Sequence, residues 1–163
     1  MPLSDISLVT PESADLLALA RGIFREYASS LGIDLEFQNF GAELASLSST
    51  YAAPGGHLML AFVDGELAGC GAFRGLADVD YPNACEMKRL YVRPAFRRLG
   101  LGRLMVQALL DEARRAGYSA TLLDTLDDME AARSLYTSLG FEEIPPYYFS
   151  PIAGSHYLKA ELN

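Results

Sequence analysis

The stretch Leu90-Tyr91-Val92-Arg93-Pro94-Ala95-Phe96-Arg97-Arg98-Leu99-Gly100-Leu101-Gly102-Arg103 decides how the rest of the chain is read. Strand-forming apolar residues run into a proline, a short basic loop follows, and two glycines open a long helical pattern. The first four backbone N–H groups of a helix lack an internal partner, and the aligned peptide dipoles place about half a positive charge at that end. Gly100 and Gly102 lack the Cβ atoms that would hold an anion away from the backbone. The segment therefore reads as an anion cradle at a strand-to-helix junction. A P-loop is excluded, because no Gly-Lys-Ser/Thr follows at the required spacing. A dinucleotide fingerprint is excluded as well: Met105 occupies the third glycine position, and the nearest later acid, Asp124, falls inside a strand.

Charge follows the same segment. The 163-residue chain carries 13 Lys+Arg against 21 Asp+Glu, a net −8, which argues against a general nucleic-acid surface. Between Glu86 and Arg103 six cations stand against one acid, a local +5 that leaves −13 elsewhere. Half of the residues are hydrophobic and mean hydropathy is +0.12, which excludes disorder. The longest apolar run, Leu58 to Val63, is far short of the roughly 20 residues that cross a bilayer. The N-terminus lacks the basic start and apolar region of a secretory signal. Cys70 and Cys85 make no disulfide framework and no zinc-type spacing. The expectation is a single cytoplasmic domain over residues 1–163, with no metal, no membrane and no nucleic-acid partner; a homodimer stays open.

Outward from the junction, the pattern predicts a short strand at Ile6–Val9 and a helix from Pro11 to about residue 31 with Thr10 as its N-cap. A weaker helix is predicted over 36–49. His57–Val63 and Glu66–Arg74 form a hairpin around Asp64-Gly65. Cys85–Val92 is the strand that Pro94 stops, and Leu101–Ala116 is the helix behind the cradle. Ala120–Leu126 is strand, Met129–Leu139 helix, and Phe141–Ile144 and His156–Leu162 the last strands. The order implies one α/β (α+β) sheet with helices on both faces.

Arg97-x-x-Gly100-x-Gly102 matches the pattern Q/R-x-x-G-x-G/A. Leu90-x-Val92-x-Pro94 precedes it in register, and Ala132-x-x-Leu135-Tyr136-x-x-Leu139-Gly140-Phe141 follows it. With the opening Thr10-Pro11-Glu12-Ser13-Ala14-Asp15, these blocks resemble the GNAT superfamily of acyl-CoA-dependent N-acyltransferases over nearly the whole chain. The resemblance implies a single mixed, mostly antiparallel sheet of about seven strands flanked by four helices. It implies acetyl-CoA as co-substrate, with its diphosphate on the backbone amides of Arg98, Leu99, Gly100, Leu101 and Gly102. Arg97, Arg98 or Arg103 would add charge, and Leu90 and Val92 would pair with the pantetheine arm as with an added strand. The family's frequent pantetheine-contacting Asn is replaced by Met129.

An alkyl amine of pKa near 10.4 is mostly protonated at neutral pH, so acyl transfer to it profits from a general base, and the departing thiolate profits from an acid. The oxyanion needs a donor, for which the backbone N–H of Val92 or Tyr91 is available. Glu86 is the candidate base; strand alternation would put Glu86, Lys88, Leu90 and Val92 on one face. The bland alternative is a Glu86 ion pair with Lys88 or Arg89. Tyr136 is the candidate acid, as the resemblance implies; packing with Ala132 and Leu139 is its alternative. The loop Pro145–Gly154, rich in proline and aromatics, and the side chains of Tyr27 and Phe37 are candidates for the acceptor side. Lys88, Arg89 and Arg74 are candidates for binding a substrate carboxylate. The expected reaction is transfer of acetyl to a primary amine of a small molecule, amino acid or peptide by direct attack in a ternary complex. The alternatives are a non-catalytic acyl-CoA-binding module and an acetyltransferase of protein lysines or N-termini.

Overall fold

In the computed structural model, which describes residues 5–32, 34–126 and 130–162, seven strands form one sheet. They are β1 (Ile6–Val9), β2 (His57–Val63), β3 (Glu66–Leu76), β4 (Ala84–Val92), β5 (Ala120–Leu126), β6 (Glu142–Ile144) and β7 (Ser155–Glu161). The spatial order is β1-β2-β3-β4-β5-β7-β6. The neighbours run antiparallel except β4 and β5, which run parallel. The helices are α1 (Ala14–Leu31), α2 (Phe40–Ala45), α3 (Leu47–Thr50), α4 (Leu101–Arg115) and α5 (Glu130–Ser138).

Both faces of the sheet are covered. Along β2, Leu58 and Leu60 belong to a core with Ile23 and Phe24 of α1, whereas Met59 and Ala61 join Met105 and Leu109 of α4. Burial on both sides explains why β2 is apolar at nearly every position and not at alternate ones. Asp64 and Gly65 turn the β2–β3 hairpin with φ of 50° and 84°, as a two-residue turn requires.

Two expectations change. Helix α1 starts three residues later than the proline suggests: extended Ser13, not Thr10, is its N-cap, and its hydroxyl accepts the Leu16 N–H at 3.1 Å. The helix expected over 36–49 is instead a 3₁₀ turn at Leu35–Gln38 followed by α2 and α3. Asn39 adopts a left-handed φ of 58°, and the Glu36 carboxylate accepts the Gly41 N–H at 2.9 Å, so a side chain takes over a backbone donor there.

The feature that makes the site lies in β4. On β3, Cys70 pairs with Tyr91 and Ala72 with Lys88, so β4 contains one extra residue between the two pairs. Arg89 absorbs it at φ 62°. This β-bulge bends the strand, and the parallel pairing of β4 with β5 stops at Glu86–Leu122. Beyond that point the two strands part. The bulge needs room on the β3 side: a Cβ at Gly69 would stand 2.7 Å from the Tyr91 carbonyl oxygen and 3.1 Å from the Met105 sulfur.

Candidate active site

A left-handed arginine is strained, and burial anchors this one. Arg89 is 5% exposed, and its guanidinium donates to both carboxylate oxygens of Glu43 on α2, at 3.0 and 2.8 Å. It also donates to Gln38 Oε1 at 2.9 Å and lies 5.1 Å over the Phe40 ring. Burial alone would raise the Glu43 pKa, but the hydrogen bonds and charge of Arg89 hold it below the ordinary carboxylate value. Arg89 is thus a structural cation, committed to the bulge, and not available to a substrate.

The extra residue also reverses the alternation of β4. Glu86, Lys88 and Tyr91 share one face, where they meet Tyr147 of the β6–β7 loop, Gln38 of the 3₁₀ turn and Glu26 of α1. Leu90 and Val92 pack on the opposite face, with α4 and α5. The expected single face for Glu86, Lys88, Leu90 and Val92 is therefore corrected. Tyr91 is also directed away from the gap: its hydroxyl donates to Glu26 at 2.9 Å. The Arg93 N–H bonds back to Ala68 on β3 at 2.8 Å, so alternation turns the N–H and C=O of Leu90 and Val92 toward the side that β5 has left.

At the end of β4 the cradle takes shape. Pro94–Phe96 makes a single 3₁₀ turn, and Arg98 and Gly100 have φ of 70° and 75° before α4 begins at Leu101. A Cβ on Gly100 would meet open space, so glycine serves the conformation there and not the packing. No described backbone or side-chain acceptor takes the N–H groups from Arg98 to Arg103, and α4 has no side-chain cap. Arg97 donates to the Val92 carbonyl at 3.0 Å and Arg103 to Ser138 at 2.7 Å, while Arg98 and Leu99 are exposed. Six consecutive free amides at a helix start fit a diphosphate.

The gap between β4 and β5 opens into a narrow cleft of about 50 Å³, lined among others by Tyr27, Leu90, Asp124 and Tyr136. Tyr136, on α5, stacks edge-on against Phe141 with ring centroids 5.3 Å apart. Its hydroxyl bonds to no described residue, and burial pushes its pKa up, so it keeps its proton. Beside the cleft lies a cavity of about 370 Å³ lined by Arg74, Glu86, Tyr147 and Tyr148; Phe37, Gln38 and Lys88 line both spaces.

Sequence reasoning missed Asp124 as a site residue. It stands in β5 between Leu123 and Thr125, and an acid in such a mostly apolar strand was the available signal. Burial raises its pKa above the ordinary value; a hydrogen bond from Tyr148, at 2.6 Å, and the charges of Lys88 and Arg89 oppose that rise without cancelling it. Tyr147 likewise donates to Glu86 at 2.8 Å. Gln38 also went unread: its Nε2 donates to the Tyr148 hydroxyl at 3.2 Å, while its Oε1 receives Lys88 and Arg89. Cys70 and Cys85 are buried, and burial lifts the Cys85 thiol to about 11, so neither is a nucleophile at neutral pH. Met129, with Asp127 and Asp128, lies outside the described residues.

No helix among the described residues is long and apolar enough to cross a membrane. The solved structure of a GNAT-family acetyltransferase from Staphylococcus aureus superposes with a TM-score of 0.78 at 17% identity, covering 98% of this chain and 100% of that one. An acetyltransferase from Salmonella typhimurium, solved with its cofactor acetyl-CoA, superposes with a TM-score of 0.68 at 20% identity, covering 97% and 94%. An N-acetyltransferase of Schizosaccharomyces pombe is 40% identical over 142 residues, 86% of this chain and 85% of that protein. The model of the acetyltransferase (GNAT) family matches residues 18–141, from within α1 through the parted strands to just past α5. The chain belongs to the acetyltransferase (GNAT) family and is an N-acetyltransferase of that type.

Proposed function

We propose that this protein transfers the acetyl group of acetyl-CoA to a primary amine of a small molecule, amino acid or peptide, by direct attack in a ternary complex in the cytoplasm. The observation that carries the reading is the juxtaposition of six free amides, Arg98 to Arg103, with the parted edges of β4 and β5. The amides would hold the diphosphate, with Arg98 beside it. The open edge at Leu90 and the Val92 N–H would hold the pantetheine arm, and the Leu90 or Val92 N–H is the donor for the developing oxyanion. Acetyl-CoA supplies an activated thioester; the rest falls to this chain's own side chains.

Tyr136 would give its proton to the thiolate as it leaves. Two carboxylates, Glu86 of the cavity and Asp124 of the cleft, are the candidates to take the proton of the ammonium. Glu86 is flanked by Arg74 and Lys88, at 3.6 and 3.8 Å, and by the Tyr147 hydroxyl, so protonating it would strip both cations of their counter-charge. Asp124 lines the cleft itself, and its raised pKa moves it toward the range in which a base works best. We therefore assign the base role to Asp124 and keep Glu86, the residue expected from the sequence, as the carboxylate of the acceptor cavity.

The test is calorimetry with coenzyme A, followed by thiol release from acetyl-CoA with a panel of amines, amino acids and peptides. Micromolar binding that is lost in Gly100→Val, with release from at least one amine, supports the reading. Binding that Gly100→Val leaves intact would overturn the placement of the diphosphate.

A further inference from the structure

The cations around the site divide by what they already hold. Arg89 is spent on Glu43 and Gln38, Arg93 on Glu26 and the Leu67 carbonyl, Arg97 on the Val92 carbonyl and Arg103 on Ser138. Arg74 and Lys88, in the 370 Å³ cavity, are different. Both rely on one carboxylate, Glu86, at 3.6 and 3.8 Å, distances beyond a direct hydrogen bond. The other Glu86 oxygen accepts from Tyr147. The Arg74 guanidinium donates no hydrogen bond to a described residue, and its side chain is 41% exposed toward the cavity. Lys88 is buried and holds only Gln38, at 3.3 Å.

Local charge makes the same point. Arg74, Lys88 and Glu86 leave one positive charge over, while Asp124, on the cleft side of Lys88, carries a negative one. The Arg89–Glu43 pair cancels itself. The remaining acid on the cavity wall, Asp78, is exposed at the rim, where solvent screens it. A zwitterion answers both excess charges, with its ammonium at Asp124 and its anionic group at Arg74 and Lys88. The planar fork of an arginine fits a carboxylate through two parallel hydrogen bonds.

We infer that the acceptor is a carboxylate-bearing amine, a free amino acid in kind, whose carboxylate is held by Arg74 with Lys88. The inference rests on the proposed acetyl transfer and narrows its acceptor. The cavity is of small-molecule size, and its occupant reaches the thioester past Lys88, which lines both spaces.

The experiment compares matched pairs, each an amino acid and the amine left when its carboxylate is removed. Thiol release is expressed per unprotonated amine, for wild type and for Arg74→Leu. The expected result is a kcat/KM at least tenfold higher for the carboxylated member. In Arg74→Leu that ratio falls toward one, mainly through KM, while the affinity for coenzyme A measured by calorimetry stays the same. Equal rates within wild-type pairs, or a ratio that survives in Arg74→Leu, would overturn the inference even though the enzyme transfers acetyl. Should Arg74→Leu not fold, the wild-type pairs alone decide. Release from no amine at all, with coenzyme A bound, would overturn the transferase reading itself, and this inference with it.

Discussion

Glu86 and Asp124 sit on neighbouring strands, each bound by the hydroxyl of one of two consecutive tyrosines, Tyr147 and Tyr148. Their surroundings separate them. Glu86 lies in the wider cavity between two cations, and its charge orders Arg74 and Lys88. Asp124 lies in the narrow cleft beside Tyr136, where burial works against its charged form. The buried Glu86 thus holds cations in place, and the half-buried Asp124 is the carboxylate to which we assign the proton.

The strongest way to break this comparison is Asp124→Asn. The expected loss in kcat is about two to four orders of magnitude, the usual contribution of a positioned base, with coenzyme A affinity unchanged by calorimetry. A thermal melt adds a second reading. A carboxylate whose folded pKa is raised favours the folded state below its unfolded pKa and loses that contribution as pH rises through the folded value. Asp124→Asn should therefore gain Tm relative to wild type on going from pH 4 to pH 8. A constant difference would mean that Asp124 is not desolvated.

Next in size is Tyr136→Phe, for which kcat should fall about a hundredfold, the low end for a lost proton transfer. The loss should shrink with an acyl donor whose thiol is more acidic, measured in the same release assay, because such a thiolate needs less help to leave. Glu86→Gln sharpens the contrast by its small effect on turnover: kcat should stay within about threefold while the acceptor KM changes, as expected when only binding is altered. A hundredfold fall in kcat instead would return the base role to Glu86. The smallest effect belongs to Tyr148→Phe. Its hydroxyl opposes the rise of the Asp124 pKa, so its removal should move the acidic limb of the kcat/KM profile to higher pH, with little change at pH 8.

Much of the fold was legible because its signals are local. The apolar run at His57–Val63, the Asp64-Gly65 turn and the span Ala120–Leu126 have the limits that the sequence suggests. The second helix was misread because Asn39 and the Glu36 side chain interrupt a run that apolar spacing alone would continue. The face of Glu86 was read correctly only as far as Lys88. Alternation assumes one residue per partner, and the extra residue at Arg89 breaks that rule.

The amino-acid sequence alone determined the turn into α4, since a stopping proline, Gly100 and the unpaired amides of a helix start are properties of a few adjacent residues. It also determined the two-sided burial of the sheet, through the apolar runs of its central strands. Tertiary structure decided which side chains meet. The bulge is anchored by Arg89 on Glu43, 46 residues away, and Asp124 meets Tyr148 across 24 residues. Pairings over such separations depend on how helices and a loop close over the sheet, and on the desolvation this closure imposes. Neither is a property of any short segment.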